Sequence, residues 1–86
     1  MPIICMFYGI KINIHYLDHV PPHFHAYYGE YECSVDIETL KKINGEMPNK
    51  QLKMIFEWAA LHQKELMQNW YLSRERQGLL VIEPLK

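Results

Sequence analysis

His23-Phe-His-Ala-Tyr-Tyr-Gly-Glu-Tyr-Glu-Cys-Ser-Val-Asp36 reads as a β-hairpin, and its reading decides the fold. Gly29-Glu30 fits a two-residue type II′ turn, with glycine at the first central position. That turn sets Tyr28 opposite Tyr31, Ala26 opposite Cys33 and Phe24 opposite Val35, which makes one face apolar and aromatic. The other face pairs Tyr27 with Glu32, His25 with Ser34 and His23 with Asp36. A slip of one residue would mix the two sets, so the sorting itself supports the register.

Toward the N-terminus, residues 3–8 form an apolar run of strand length, and Gly9 can supply a turn. Ile10, Ile12, Ile14 and Tyr16 then alternate with Lys11, Asn13 and His15, the period of a half-buried strand. Asp18 to Pro22 is a loop, because two consecutive prolines cannot donate to a ladder. Past the hairpin, residues 40–43 add a short edge strand after a turn at Glu38-Thr39, and Asn44-Gly45 breaks the chain. Pro48 or Asn49 opens a helix that runs to about Arg74. Leu52, Ile55, Phe56, Ala59, Leu66 and Trp70 form its apolar stripe. Gly78 is the expected stop, with Arg74 and Arg76 favourable near the negative helix end, and Leu79 to Ile82 form a final short strand. The expected fold class is α+β: a small, mostly antiparallel sheet packed against one long helix in the C-terminal half, with residues 1–86 as a single domain.

The formal charge is −1, with no basic surplus. That weighs against a stand-alone nucleic-acid module and leaves RNA only as a candidate substrate. Cys5 and Cys33 lack a spacing partner and fall in apolar runs, so they read as inert buried thiols. The start lacks the pattern of a signal peptide, and no apolar stretch approaches the roughly 20 residues of a membrane span. A cytoplasmic protein without membrane association is expected. There is no glycine-rich phosphate loop and no nucleophile elbow, and no cofactor is expected.

Four of the five histidines lie between residues 15 and 25. His23 and His25 share a strand face, with Asp36 opposite His23, and matched pairing of the preceding strand brings His15 beside them. Three readings fit such a face. It is a solvated polar surface, an acid–base or phosphate-binding surface using His23 and His25, or a metal site built from histidines and an aspartate. No His-Glu-x-x-His motif is present, and no metal is assigned. His62 lies on a helical line with Trp58, Glu65 and Asn69, where a bond to a neighbour is the plain reading and a contact surface the functional one.

Phe7-Tyr8-Gly9-Ile10, Asp18-His19-Val-Pro21-Pro22-His23-Phe24-His25-Ala26-x-Tyr28-Gly29, Asp36-Ile37, and Glu57-Trp58-Ala59-x-Leu61-His62 with Asn69-Trp70 together resemble the prokaryotic family catalogued as domain of unknown function 4160. Val20 stands where that family commonly has a third proline, and Leu40 where it often has a glycine. The resemblance implies a gene neighbouring a second small protein, of the family of domain of unknown function 2442, in an arrangement like a toxin–antitoxin pair. The implied role is the toxin-like member, working with that small partner. If it is an enzyme, RNA cleavage fits, with His23 and His25 as acid and base and Asp36 orienting His23. His15, His19, Trp58, His62 and Asn69 are the candidate contacts to partner or substrate. The alternative is a non-catalytic interaction or transcription-modulating module.

Overall fold

The computed structural model describes residues 3–86; Met1 and Pro2, which open the expected domain, lie outside them. The described residues form five strands and then two helices: β1 (Ile3–Phe7), β2 (Ile10–Asn13), β3 (His23–Tyr28), β4 (Tyr31–Asp36), β5 (Lys42–Glu46), α1 (Asn49–Leu61) and α2 (Gln63–Arg74). The strands make one antiparallel meander in the order β1-β2-β3-β4-β5.

The central hairpin pairs as its sequence dictates, from His23 opposite Asp36 to Tyr28 opposite Tyr31. Gly29 takes φ 57° in the first central position, a conformation that costs glycine nothing. Phe24, Ala26, Cys33 and Val35 are buried, together with Ile10 and Ile12 of β2. At the turn end this face opens to solvent, and Tyr31 is exposed.

The edge strand differs from its sequence reading. Asn44-Gly45 lies inside β5 instead of ending it. A bulge lets Ser34 face Asn44 while Val35 faces Lys42. Gly45 sits at φ 83° against Glu32 and Cys33, and a Cβ there would overlap the Glu32 carbonyl. In the loop before β5, Asp36 Oδ1 accepts the backbone N–H groups of Glu38 and Thr39 at 2.8 and 3.0 Å. Leu40 closes that loop at φ 58°, a left-handed backbone that favours glycine.

The single long helix is in fact two, because His62 breaks it at φ −128°. No proline or glycine causes the break. Gln63 donates its side-chain amide to the carbonyls of Ile37 and Glu38, which ties the start of α2 to the end of the sheet. His62 Nδ1 and Glu65 Oε1 meet at 2.7 Å across the first turn of α2, in the spacing of a capping box. The break also shifts the apolar stripe. Residues advance about 100° each around a helix, so Ile55, Trp58 and Ala59 form the buried face of α1, and Leu52 and Phe56 flank it, partly exposed. In α2 the buried face is Leu66, Asn69, Trp70 and Ser73.

Trp58 is the centre of the core. Its ring is 5.4 Å from Phe7 and 5.8 Å from Phe24, edge-on to the latter. A fully buried indole of this size stabilises more than any aliphatic side chain around it.

Helix α2 ends before Gly78. Gln77 N–H bonds Leu72 O at 2.9 Å and Arg76 N–H bonds Ser73 O at 3.4 Å, the paired bonds of a Schellman motif. Arg76 occupies the left-handed position at φ 57°, where glycine is usual. The expected final strand is not formed. Leu79 to Ile82 has no regular structure: the Asn69 side chain holds both backbone groups of Leu80, and β1 receives one bond, Ile82 N–H to Ile4 O at 2.8 Å. A side-chain amide has taken the place of the ladder.

Candidate functional site

On the sheet face turned away from Phe24, cross-strand partners make a polar row: Asn13, His25, Ser34 and Asn44. The segment after β2 folds back over this row and adds His15 and Asp18. The His15 ring stacks on that of His25, with centroids 3.8 Å apart and planes inclined 25°. His23 meets His25 edge-on at 5.0 Å.

Asp18 is the hub. Its Oδ2 accepts from His23 Nε2 at 3.0 Å and from His25 Nε2 at 3.1 Å, while Oδ1 accepts from the His19 backbone N–H at 2.9 Å. Both histidine side chains are 12% exposed and that of Asp18 24%, so these bonds are only partly screened by water. Partial burial pushes the Asp18 carboxyl up, but the bonds from His25 and His19 and the charge of His23 outweigh it and bring the group down to about 2.

The two histidines on Asp18 differ in their other nitrogen. His23 Nδ1 lies 2.7 Å from the carbonyl oxygen of Pro21. Carbonyl and carboxylate can only accept, so both bonds form only when each His23 nitrogen carries a proton. His25 Nδ1 lies 3.2 Å from Ser34 Oγ, whose hydroxyl can donate to it. His25 is thus satisfied as a neutral ring with its proton on Nε2. His15 Nε2 and the Tyr27 hydroxyl are 3.1 Å apart. Burial, then the neighbouring His25, moves the His15 ring below its ordinary value. Burial and the charge of Glu32 raise the Tyr27 phenol.

Asp36, expected to orient His23, is its backbone partner, but its carboxylate is used by its own turn. Asp18 takes that role. The loop, not strand pairing, delivers it, and the only sequence signal was its place in the run Asp18-His19-Val-Pro-Pro-His23-Phe-His25. His19 is exposed and lines a depression of about 200 Å³ together with Val20, Pro21, His23, Ser34, Ile43 and Asn44. Arg74 donates to the Asp18 backbone carbonyl and lies over the Trp70 ring, which puts a guanidinium beside the cluster that strand spacing did not reveal.

The remaining candidates lie elsewhere. Trp58 and Asn69 have no exposed surface to offer a partner. Trp58 donates Nε1–H to Glu83 O at 2.7 Å, and Asn69 holds Leu80, so both clamp the C-terminal segment. His62 pairs with Glu65 and borders a groove of about 420 Å³ with Leu61 and residues 83–86. Cys5 and Cys33 are buried, and burial pushes the Cys5 thiol up to about 11, which suits inert packing groups. Among the described residues no helix is long and apolar enough to cross a membrane.

The sequence profile described as Domain of unknown function (DUF4160) matches residues 9–71, a span that begins at the β1–β2 turn and includes the whole histidine cluster. No curated protein and no solved structure matches the chain.

Proposed function

The chain belongs to the DUF4160 family, and on that premise we propose that it is the toxin-like member of a two-gene module, acting on RNA by acid–base chemistry and held in check by the small protein of the neighbouring gene. The observation that carries this reading is the shared carboxylate: one oxygen of Asp18 fixes the rings of both His23 and His25. Strand cleavage beside a 2′-hydroxyl needs a base to take that proton and an acid to protonate the departing 5′-oxygen. His23, with a proton called for on each nitrogen, is the acid. His25, with its lone pair on Nδ1 toward Ser34, is the base. Arg74 and Lys11, the latter opposite Tyr27 on the same face, supply positive charge for a phosphate. The depression beside His23 and Ser34 offers room for a nucleotide group.

The test is growth of a host expressing the chain with and without its neighbouring gene. Slowed growth that the neighbour relieves supports the reading. Unchanged growth at high expression favours the alternative, a non-catalytic interaction or transcription-modulating module.

A further inference from the structure

We propose that His15, His25 and Asp18 form a binding site for a divalent transition-metal ion of the zinc type. The site goes beyond the acid–base reading and does not need it. One potential ligand atom from each of the three residues lies within 4.8 Å of the others, and all three residues are half-buried. Two imidazoles and one carboxylate are a donor set that zinc and its neighbours prefer.

The distances suit an ion. Ligands at about 2.0–2.1 Å in a tetrahedral arrangement stand roughly 3.3 Å apart. His25 Nε2 and Asp18 Oδ2 are already 3.1 Å apart. An ion between them replaces the Nε2 proton and leaves the two groups almost where they are. His15 completes the set by closing inward from within 4.8 Å and splaying from its stack on His25, which turns its lone pair toward the ion.

Two further features fit. Each imidazole already has a hydroxyl partner, Tyr27 on His15 and Ser34 on His25, the kind of outer hydrogen bond that fixes the rotation of metal-binding rings. His23 holds the Asp18 carboxylate in the same way. Independently, Asn13 is 8% exposed, and its Oδ1 takes no hydrogen bond. Asn13 is the cross-strand partner of His25 on this face. A buried acceptor without a donor beside such a cluster points to a ligand that brings one, such as ion-bound water. An ion and a proton exclude each other at His25 Nε2. With the ion on Nε2 the neutral ring carries its proton on Nδ1 and donates it to Ser34, so the lone pair that serves as base in the acid–base reading above is lost and a loaded site is a silenced one.

The full chain, stripped with a chelator, is titrated with Zn²⁺ by calorimetry and with Co²⁺ by visible absorption. The expected result is one ion per chain, with cobalt bands of four-coordinate geometry and a Zn²⁺-dependent rise in melting temperature. Losing an outer-sphere partner typically costs about 10–100-fold in affinity, which is the loss expected for His23→Ala. His15→Gln, His25→Ala and Asp18→Asn should each lose more than that, while His62→Ala binds as the parent does. Circular dichroism separates lost binding from lost folding. Parent-like affinity in folded His15→Gln, equal loss in His62→Ala, or no saturable binding by the parent overturns the proposal. None of these outcomes bears on the growth assay, so the two readings fail separately.

Discussion

The Asn69 side chain grips both backbone groups of Leu80, donating Nδ2–H to its carbonyl at 2.9 Å and accepting its N–H at 2.7 Å. Asn69 is fully buried while Leu80 is exposed, so both bonds are sheltered from water on the Asn69 side. Substitution by leucine keeps the branched heavy-atom shape and removes both bonds, leaving the Leu80 backbone groups without their partner. Asn69→Leu should cost about 1–3 kcal/mol. The loss is directional as well: the Leu80 amide should exchange its hydrogen faster relative to the core strands. Hydrogen exchange read residue by residue checks this, and Leu80 protection matching the parent would show that the clamp is not what holds the C-terminal segment.

Arg76 tests the helix end. It sits in the left-handed region at φ 57° within the Schellman motif, and its side chain is exposed. A left-handed L-residue costs roughly 1–2 kcal/mol that glycine does not incur, less the extra freedom glycine has when unfolded. Arg76→Gly should therefore stabilise the protein by about 0.5–1 kcal/mol, seen as a higher urea midpoint at unchanged slope. A lower midpoint would mean that the arginine makes compensating contacts.

How much of this was legible follows from what is local. The hairpin from His23 to Asp36 could be read in full, because a tight turn and a polar/apolar split are properties of neighbouring residues. The break at His62 could not, since it goes with Gln63 reaching carbonyls of Ile37 and Glu38, 26 and 25 residues away. Phe56 joins the apolar stripe when α1 and α2 are read as one continuous helix, and only flanks the buried face of α1 once they are separate. Leu79 to Ile82 has the composition of a strand, but whether it joins a ladder depends on Asn69. In the site, strand register brought His25 to Ser34, yet it misled for Asp36. Register aligns backbones, and the Asp36 carboxylate had closer donors in Glu38 and Thr39. Asp18 became the hub through a loop whose path no periodicity encodes.

Acid should act on the structure through Asp18. Its carboxyl is lowered from an ordinary 3.8 to about 2 in the folded protein. Between those values the unfolded chain binds more protons, so stability rises with pH there. The contribution is present in full above the unfolded value and is lost as pH falls through the folded one. It amounts to something on the order of 2 kcal/mol. Asp18→Asn should be less stable at neutral pH by a similar amount, and its stability should fall less than the parent's from pH 4 to pH 2. Parallel pH profiles of parent and variant would show that other carboxylates govern the acid limb.

The last prediction separates chemistry from folding in the proposed activity. His23 and His25 are partly exposed on a polar face, and Asp18 is their common anchor. Replacing both with alanine removes acid and base but none of the buried apolar core. It also strips Asp18 of two donors, so a cost of about 1–3 kcal/mol is expected, and the melting temperature is measured alongside growth. If the toxin-like reading holds, the double variant should no longer slow growth at parent-like abundance. His62→Ala, which removes the pairing with Glu65 and a ring 5.6 Å from Trp58 but nothing of the cluster, should slow it as the parent does. A double variant as toxic as the parent would remove these histidines from the chemistry. If the parent itself is harmless, Trp58 and Asn69 cannot serve as the contact surface of an interaction module, because both are buried. The open edge of β5 would then be the surface to test, since all five of its residues are exposed and, among the described residues, its outer backbone groups face no further strand.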